Sequence, residues 1–379
     1  MTKTLPIEEM KDGLYTDKYF LRSRQILEAE GINPIVRYQV FARKEGTVKG
    51  VDESIDFIRE MVGDKAAVYA LRNGQNYQSG EPLMKIEGRV QDLVELETVY
   101  LQIISAGLTG DINMDEVREN TKAIVDAAQG KPVIYFGARH YHWSLDEEIA
   151  RMCKDAGFTS CSTDIGAKAW STEGVGTIPH ALILSYAAYM DENRIEGNPS
   201  VEAARGFDRY IDPSVKRILL ADTFNREIYD TIETARAVPS LAGVRIDTCG
   251  ENYAEGSEDI ALPELYVPEK YLGGRGVTIA AVWALRRGID EAGYGNLEIV
   301  VSSGFNADKT RAFVEADEVF QQEHGKPLFN SIGTGSVVEN ATYATSDICA
   351  YFSEKKGLWI PLSKVGRSEK SSNRLVRML

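Results

Sequence analysis

Short apolar runs that end in polar residues recur through the second half of the chain. From about Lys131 onward they read KPVIYFGARH, KRILLADTF, LAGVRIDTCG, LEIVVSSGFN and PLFNSIGTGS, and helical segments such as VTIAAVWALRRGIDEAG lie between most of them. Nearly all-apolar strands that alternate with helices are typical of a parallel sheet whose two faces are both covered. The pattern therefore predicts a β/α architecture for this part of the chain.

The first hundred or so residues mix the two periodicities. The stretches IVRYQVFARK and GEPLMKIEGRV predict strands, whereas VDESIDFIREMVG and LVELETVYLQIISAGLTG predict helices. A later helix is predicted in SLDEEIARMCKDAG, where Ser144 and Glu147 have capping-box spacing and Gly157 marks the C-terminal end. The N-terminal part is therefore predicted to be mixed α/β.

Polar residues collect at the predicted strand ends, which form the active face of a β/α barrel. An open doubly wound sheet would also place its site there. Several strand ends carry candidate groups, and no GxGxxG or GxxxxGK[ST] sequence follows a strand. The pattern therefore favours a barrel over a Rossmann or P-loop fold.

Composition narrows the function classes. The 379 residues carry a net charge of −14, which argues against a nucleic-acid-binding protein but allows one local basic pocket. The four cysteines form no CxxC pair and are expected to be reduced thiols. The start shows no signal peptide, and no apolar run reaches the length of a membrane span. We therefore expect a cytoplasmic protein that binds small molecules.

Two aspartates directly follow apolar strands: Asp222 in LLADTF and Asp247 in VRIDT. A carboxylate at that end can hold a divalent metal, a ribose hydroxyl or a developing positive charge. Either one alone is better explained as a cap of the next helix or turn. Their matching positions on neighbouring strands favour a functional role.

Two turns share the glycine content of phosphate-binding loops: Ser302, Ser303 and Gly304 in SSGFN, and Gly333, Thr334 and Gly335 in SIGTGS. Glycine lets backbone N–H groups converge on an anion, and a following helix start favours negative charge. Each alone could be an ordinary tight turn. Two late turns match the usual phosphate site of β/α barrels, which follows the last strands.

A small cationic spot is predicted in FGARHYH, where Arg139, His140 and His142 could bind a carboxylate or a phosphate. The alternative for Arg139 is a surface ion pair. For the two histidines the alternatives are exposed or packing roles, and for His140 the residues favour that alternative.

His180 lies in GVGTIPHALI, where Thr177 is predicted to cap the helix that Pro179 opens. A histidine in the first helical turn faces the positive end of the dipole, which favours a neutral ring and a nearby anion. A neutral histidine beside bound phosphates is a candidate phosphoryl acceptor. From these residues alone, a histidine packed at a helix start is equally consistent and more common.

The order of the motifs resembles that of the nicotinate phosphoribosyltransferase family, and most of all its compact, archaeal-style branch. The motifs are GLYTDKYF, VFARKEG, GEPLMKIEG, LETVYLQII, GARHYH, IGAK, GTIPHAL, ADTF, VRIDT, VSSGF, IGTGS and PLSKVGR, of which GT-x-x-H is the most specific. The resemblance implies a partly irregular β/α barrel of residues 121–344 joined to an N-terminal α/β domain of residues 1–120. It also implies that residues 345–379 return to that first domain.

The resemblance further implies an activity. The family joins nicotinate to phosphoribosyl pyrophosphate, giving nicotinate mononucleotide and pyrophosphate in the salvage route of NAD biosynthesis. It can couple this reaction to ATP hydrolysis through a phosphohistidine. By similarity His180 would be that histidine, ATP a co-substrate and Mg²⁺ the metal. A homodimer or larger homo-oligomer is expected, because relatives complete their sites across subunits.

The same resemblance assigns roles to other side chains. Tyr15, Thr177 and Arg245 match positions that contact nicotinate, and Arg139 matches a basic residue of the substrate pocket. The two glycine turns match the 5′-phosphate site. The two strand-end aspartates match the acidic positions near the ribose and the metal.

Three other functions stay open. Quinolinate phosphoribosyltransferase has the same fold, but its dicarboxylate substrate would need a denser set of Arg and Lys. A nicotinamide-specific enzyme shares the GT-x-x-H site, although Arg139 and Arg245 favour a carboxylate. A non-catalytic phosphoribosyl- or nucleotide-binding protein would keep the phosphate turns but could lose His180 or the aspartates, all of which are present.

Overall fold

The computed structural model describes residues 4–379. The helices are α1 (Ile7–Lys11), α2 (Lys18–Glu30), α3 (Val51–Val62), α4 (Val90–Leu93), α5 (Glu97–Thr109), α6 (Met114–Ala128), α7 (Asp146–Ala156), α8 (Asp164–Ala167), α9 (His180–Asn193), α10 (Pro199–Tyr210), α11 (Glu227–Ala237), α12 (Glu269–Leu272), α13 (Ile279–Glu291) and α14 (Ala307–His324). Among the described residues, no helix combines the length and apolarity that a membrane crossing needs.

The strands form two six-stranded sheets and one two-stranded ribbon. They are β1 (Ile35–Ala42), β2 (Gly46–Thr47), β3 (Ala66–Ala70), β4 (Asn76–Tyr77), β5 (Pro82–Arg89), β6 (Val133–Tyr135), β7 (Ser160–Cys161), β8 (Arg217–Leu220), β9 (Leu241–Ile246), β10 (Glu298–Val301), β11 (Ser331–Thr334), β12 (Ala344–Ser353), β13 (Leu358–Pro361) and β14 (Val376–Arg377).

One antiparallel sheet brings the two ends of the chain together. Its order is β13-β12-β1-β5-β3-β14, and β1 pairs with β12 so that Ile35 lies opposite Phe352. Helix α5 packs against β12 and is buried on nearly every face, which explains its almost continuous apolar sequence. The predicted N-terminal strands and helices are confirmed, whereas the proposed domain boundaries stay predictions.

The second sheet is an open half-barrel of six parallel strands. Its order, β7-β6-β11-β10-β9-β8, is that of a ring of consecutive strands in which β7 and β8 remain the two edges. The predicted fold class, an α/β protein with a partly irregular barrel and an N-terminal α/β unit, is confirmed. The nearly all-apolar strands are buried because helices cover them.

A short segment, residues 174–177, spans the gap between the two edge strands. Val175 N donates to Cys161 O on β7 at 2.8 Å, and Thr177 Oγ1 donates to Ile218 O on β8 at 2.7 Å. The chain then enters α9 at His180. The irregular closure of the barrel therefore fixes where α9 begins.

The helix-end predictions are partly right. Gly157 follows α7 with a φ of 115°, and its N–H binds the carbonyls of the last turn, as expected of a glycine that ends a helix. The capping box of Ser144 and Glu147 is wrong. Ser144 lies in a 3₁₀ turn, and α7 begins at Asp146 without a side-chain cap.

Candidate active site

His180 is the first residue of α9, at the carboxyl end of the parallel strands. No side chain caps this helix. The predicted cap, Thr177, is wrong because its hydroxyl is used to bridge to β8. Pro179 precedes the helix in an extended conformation, so the first-turn N–H groups of α9 face the barrel mouth without a cap of their own.

Side chains from two distant segments of the chain contact the imidazole. Nδ1 lies 2.9 Å from Thr223 Oγ1, and Nε2 accepts a hydrogen bond from Lys364 Nζ at 2.9 Å. Asp222 Oδ2 lies 3.6 Å from Nε2. Burial, and then the charge of Lys364, hold the pKa of His180 well below its ordinary value. The ring is therefore neutral near pH 7.

A cavity of about 180 Å³ opens beside this histidine. It is lined by five of the predicted site residues: Arg139, His180, Arg245, Asp247 and Ser303. These residues come from three distant strand-end motifs and from the start of α9. The sequence-based expectation that they converge on one cleft agrees with this geometry.

Asp222 and Asp247 follow neighbouring strands but have different surroundings. Asp222 is 2% exposed and forms an ion pair with Lys364. Asp247 is more open, accepts a hydrogen bond from Ser302 Oγ at 2.8 Å and lies 3.9 Å from Arg245. Asp247 therefore has a carboxylate oxygen available for Mg²⁺. The predicted metal-ligand role of Asp222 does not fit, because Lys364 occupies the position of the cation.

No group of three or more His, Cys, Asp or Glu side chains is arranged to hold a metal within the described part of the chain. Mg²⁺ commonly takes one or two protein carboxylates and completes its shell with water and substrate phosphates. A Mg²⁺ ion that enters with a phosphorylated substrate is thus compatible with a single carboxylate from Asp247.

Arg139 lines the cavity but is strongly neutralised. Its Nε lies 3.1 Å from Asp17, and its Nη1 lies 3.2 Å from Glu97. Burial raises the pKa of Glu97 to about 8, against the opposing effect of Arg139. The ion-pair alternative considered for Arg139 is correct, although the pair lies in the cavity wall rather than on the surface.

Arg245 lies between the first cavity and a second one of about 660 Å³, and lines both. The second cavity occupies the barrel interior and is also lined by Phe136 and Thr177. The Arg245 guanidinium carbon lies 5.6 Å from the centroid of the Phe136 ring. Its acidic neighbour, Asp247, is no closer than 3.9 Å. Arg245 is therefore better placed than Arg139 to bind a carboxylate.

The two glycine turns lie side by side. Thr334 Oγ1 donates to Phe305 O, which joins the turn after β11 to the turn after β10. Ser302 Oγ is bonded to Asp247, so the hydroxyls of Ser302 and Thr334 are both engaged within the protein. Contacts with a phosphate would therefore come from backbone N–H groups and from Ser303, which lines the cavity.

Tyr15 does not line either of these cavities. Its ring packs edge-on against Trp143 at 5.7 Å, and its hydroxyl donates to Glu9 at 3.3 Å. Burial, and then Glu9, raise the pKa of Tyr15 to about 12. Tyr15 therefore lies outside both cavities, and its contact with nicotinate stays a prediction, whereas Tyr19 lines the first cavity.

The predicted cationic spot around Arg139 does not include a charged His140. His140 stacks on Tyr343 with ring centroids 3.9 Å apart, and its Nδ1 lies 3.1 Å from Gly335 O. Burial lowers the pKa of His140 to about 4. The packing role that the sequence favoured for His140 is confirmed, and His142 Nδ1 lies 2.8 Å from Ser144 Oγ.

Three cations that line the cavity were not among the predicted site residues: Arg43, Lys364 and Arg367, of which the last two lie in PLSKVGR. Arg367 lies 2.8 Å from Glu251 and 3.3 Å from Asp347. The available signal was the presence of PLSKVGR among the motifs that carry the family resemblance. Its side chains could not be placed because the segment reaches the barrel only through tertiary folding.

Comparisons with known proteins agree with this arrangement. A family model described as quinolinate phosphoribosyl transferase, N-terminal domain, matches residues 17–106. Nicotinate phosphoribosyltransferase pncB1 of Mycobacterium tuberculosis is 24% identical over 94% of this chain and 86% of its own length.

Solved structures show the same fold at lower identity. A nicotinate phosphoribosyltransferase from Porphyromonas gingivalis aligns with a TM-score of 0.65 at 13% identity, over 96% of this chain and 95% of its own. The enzyme from Vibrio cholerae aligns with a TM-score of 0.62 at 14% identity, over 92% and 89%. The chain therefore has the fold of these enzymes and is similar in sequence to nicotinate phosphoribosyltransferases over nearly its whole length.

Proposed function

We propose that this chain is a nicotinate phosphoribosyltransferase. It would transfer the phosphoribosyl group of phosphoribosyl pyrophosphate to the ring nitrogen of nicotinate, and couple this transfer to ATP hydrolysis through phosphorylation of His180. The observation that carries the proposal is the presence of a neutral His180, the lightly compensated Arg245 and the open carboxylate of Asp247 around one cavity.

Arg245 supports an acidic pyridine as the acceptor. A guanidinium binds a carboxylate through two parallel N–H donors, and the Phe136 ring beside it offers a flat apolar face for the pyridine ring. The pyridine nitrogen is itself the nucleophile and needs no general base. Catalysis of the transfer therefore depends mainly on holding nicotinate and the ribose carbon in line.

The charges around the cavity suit the sugar donor. Displacement of pyrophosphate builds positive charge on the ribose and negative charge on the leaving group. Asp247 supplies a carboxylate for the ribose side, and Lys364 and Arg367 supply positive charge for phosphate oxygens. Mg²⁺, held by Asp247 and substrate oxygens, would neutralise part of the phosphate charge.

The ATP-coupled step uses the lone pair of His180. Nε2 forms a bond to the γ-phosphorus of ATP, the bond from that phosphorus to the bridging oxygen breaks, and its electron pair leaves with ADP. The Nδ1 proton stays on the ring beside Thr223. Water later hydrolyses the phosphohistidine and releases phosphate.

Quinolinate phosphoribosyl transfer is the second candidate, because the family model that matches residues 17–106 carries that name. A dicarboxylate would need two available cations. Arg367 already faces two carboxylates, and Arg139 is paired with Asp17. Arg245, in contrast, faces Asp247 at 3.9 Å. The arrangement therefore favours a substrate with one carboxylate.

The test is formation of pyridine mononucleotide and pyrophosphate from phosphoribosyl pyrophosphate and Mg²⁺. Nicotinate, nicotinamide and quinolinate are compared, each with and without ATP. We expect nicotinate to have the highest kcat/KM and ATP to stimulate its turnover. Turnover of quinolinate with loss of carbon dioxide would favour the second candidate. No turnover of any of the three would favour a binding protein.

A further inference from the structure

We propose that Lys364 is a catalytic residue of the phosphorylation step. It fixes His180 as the tautomer with its proton on Nδ1, leaves Nε2 as the reacting nitrogen, and supplies the cation next to the phosphoryl group that Nε2 receives. The phosphorylation part rests on the proposed function. The tautomer, in contrast, is a property of the protein without substrates and is tested separately.

The tautomer follows from the donors available on each side of the ring. A lysine ammonium only donates hydrogen bonds, so the 2.9 Å contact from Lys364 Nζ requires a lone pair on His180 Nε2. A neutral imidazole then carries its proton on Nδ1, where Thr223 Oγ1 accepts it at 2.9 Å. The nitrogen that faces the lysine is therefore the nucleophilic one.

Lys364 keeps its charge because acidic groups surround it. Its ammonium forms an ion pair with Asp222 and donates to Asp247 O at 3.0 Å. The lysine is thus a fixed cation.

The position of Asp222 explains why Lys364 is needed to keep Nε2 unprotonated. Its carboxylate lies 3.6 Å from His180 Nε2 and would be the nearest acceptor for a proton on that nitrogen if Lys364 were absent. A proton on Nε2 would occupy the lone pair needed to attack phosphorus. Lys364 compensates the charge of Asp222 in place of that proton. Arg245, Arg367 and Asp247 also face the ring, and none of them is bonded to either ring nitrogen.

The backbone around Lys364 holds the side chain in this position. Val365 N donates to Thr223 O at 2.9 Å, beyond the end of β8, and Cys249 Sγ donates to Val365 O at 3.6 Å, beyond the end of β9. Lys364 is only 4% exposed. When Nε2 attacks, the lysine N–H that pointed to it turns to a phosphoryl oxygen, and no proton leaves the lysine.

Nitrogen NMR of the imidazole groups tests the tautomer. The chain has four histidines, so the His180 signals are assigned by comparison with His180→Asn. We expect a protonated Nδ1 and a bare Nε2 in the wild type, and loss of this preference in Lys364→Met. Lys364→Arg should keep it. A wild-type ring with its proton on Nε2 would overturn the proposal.

Phosphohistidine formation from ATP tests the catalytic role. We expect Lys364→Met to slow it about ten- to hundredfold, because a hydrogen bond to a charged group is lost at the reacting atom. Lys131→Met is the matched control, since Lys131 also pairs with a buried aspartate, Asp317, at 2.7 Å but lies outside the cavity. Equal rates in wild type and Lys364→Met would overturn the role.

Removal of Lys364 leaves the buried carboxylate of Asp222 without its cation, which destabilises the fold of Lys364→Met. The double variant Lys364→Met with Asp222→Asn removes that charge. It is tested by the same two measurements, nitrogen NMR of the imidazole and phosphohistidine formation from ATP. If wild-type protein shows the expected tautomer but forms no phosphohistidine, ATP coupling fails and the catalytic role fails with it, while the assigned tautomer stands.

Discussion

The two sides of the barrel mouth are built by different means. The acid–histidine side consists of His180, Asp222, Asp247 and Lys364. Lys364 binds the side chains of His180 and Asp222 and the backbone carbonyl of Asp247. The glycine-turn side consists of residues 302–304 and 333–335, in which the hydroxyls of Ser302 and Thr334 bind within the protein and Ser303 lines the cavity. The acid–histidine side therefore discriminates between ligands by charge and protonation state. The glycine-turn side discriminates between them by the space beside its backbone.

This difference determines how a substitution on each side impairs function. Removal of one charge on the acid–histidine side leaves a buried partner uncompensated, which changes chemistry while the backbone keeps its path. The glycine-turn side has no such side chains to lose. An added methyl group at Gly335 meets neighbouring backbone directly, so function there is lost through displaced atoms rather than through charge.

The largest effect is expected at the acid–histidine side, from His180→Ala. The variant should lose all ATP stimulation and keep a slow ATP-independent transfer, because the pyridine nitrogen and the sugar donor do not need the imidazole to react. Pyrophosphate release with and without ATP measures this. Full stimulation in the variant would contradict the phosphohistidine role.

Arg245→Ala should raise the KM for nicotinate about ten- to hundredfold, the loss expected for a charged hydrogen-bonded contact. The KM for phosphoribosyl pyrophosphate should change far less, because Arg245 lies toward the barrel interior beside Phe136. Arg245→Lys is the control that keeps the charge without the planar fork. Equal changes in both KM values would move Arg245 out of the nicotinate pocket.

Gly335→Ala tests the glycine-turn side. A Cβ on Gly335 would lie 2.6 Å from Gly137 Cα, so backbone must move. We expect a loss of about 1–3 kcal/mol in the free energy of unfolding and a higher KM for the sugar donor. Gly304→Ala is the control, because its Cβ meets no atom within 4 Å and only its φ of 68° is unfavourable.

Gly304→Ala should lower the free energy of unfolding by about 1 kcal/mol, because a residue with a side chain is disfavoured in a left-handed conformation. Chemical denaturation and substrate kinetics are measured on the same samples. If both glycine variants behave alike, close backbone packing is not what distinguishes this side of the mouth.

The sequence predicts the fold better than the bonds within the site. Apolar runs and strand-end polar residues located β8 to β11 and both aspartates, because burial and chain order are local properties. The partner of Asp222 could not be predicted, since Lys364 lies far along the chain, in the segment that follows strands β12 and β13 of the other sheet. The metal role expected for Asp222 is unsupported for this reason.

Thr177 shows the same limit. Its place before Pro179 and His180 is typical of a helix cap, and nothing local indicates that β7 and β8 stay unpaired. In the folded chain its hydroxyl spans that gap at 2.7 Å from Ile218 O. A correct interpretation would have required the geometry of the incomplete barrel, which no spacing in the sequence reveals.

The smallest effect concerns how the charged cavity responds to pH. Burial raises the pKa of Glu97 to about 8 in the folded protein, above the ordinary value of a glutamate, while Asp347 and Asp17 add to this and Arg139 opposes it. The folded state therefore binds more protons than the unfolded state between the two values. Stability contributed by this group is present at low pH and is lost as pH rises toward 8.

Glu97→Gln should remove this loss. The difference in free energy of unfolding between wild type and variant should shift in favour of the variant from pH 5 to pH 8, because glutamine cannot ionise. Urea denaturation of both proteins at several pH values measures this difference. The contributions of the other acidic groups are the same in both proteins and cancel in the difference. Below pH 8 a neutral Glu97 also leaves Arg139 with Asp17 as its charged partner, so anionic substrates should bind more tightly there than above it. A constant difference between the two proteins across this range would show that Glu97 is ionised throughout, and that Arg139 is neutralised on both sides at every pH.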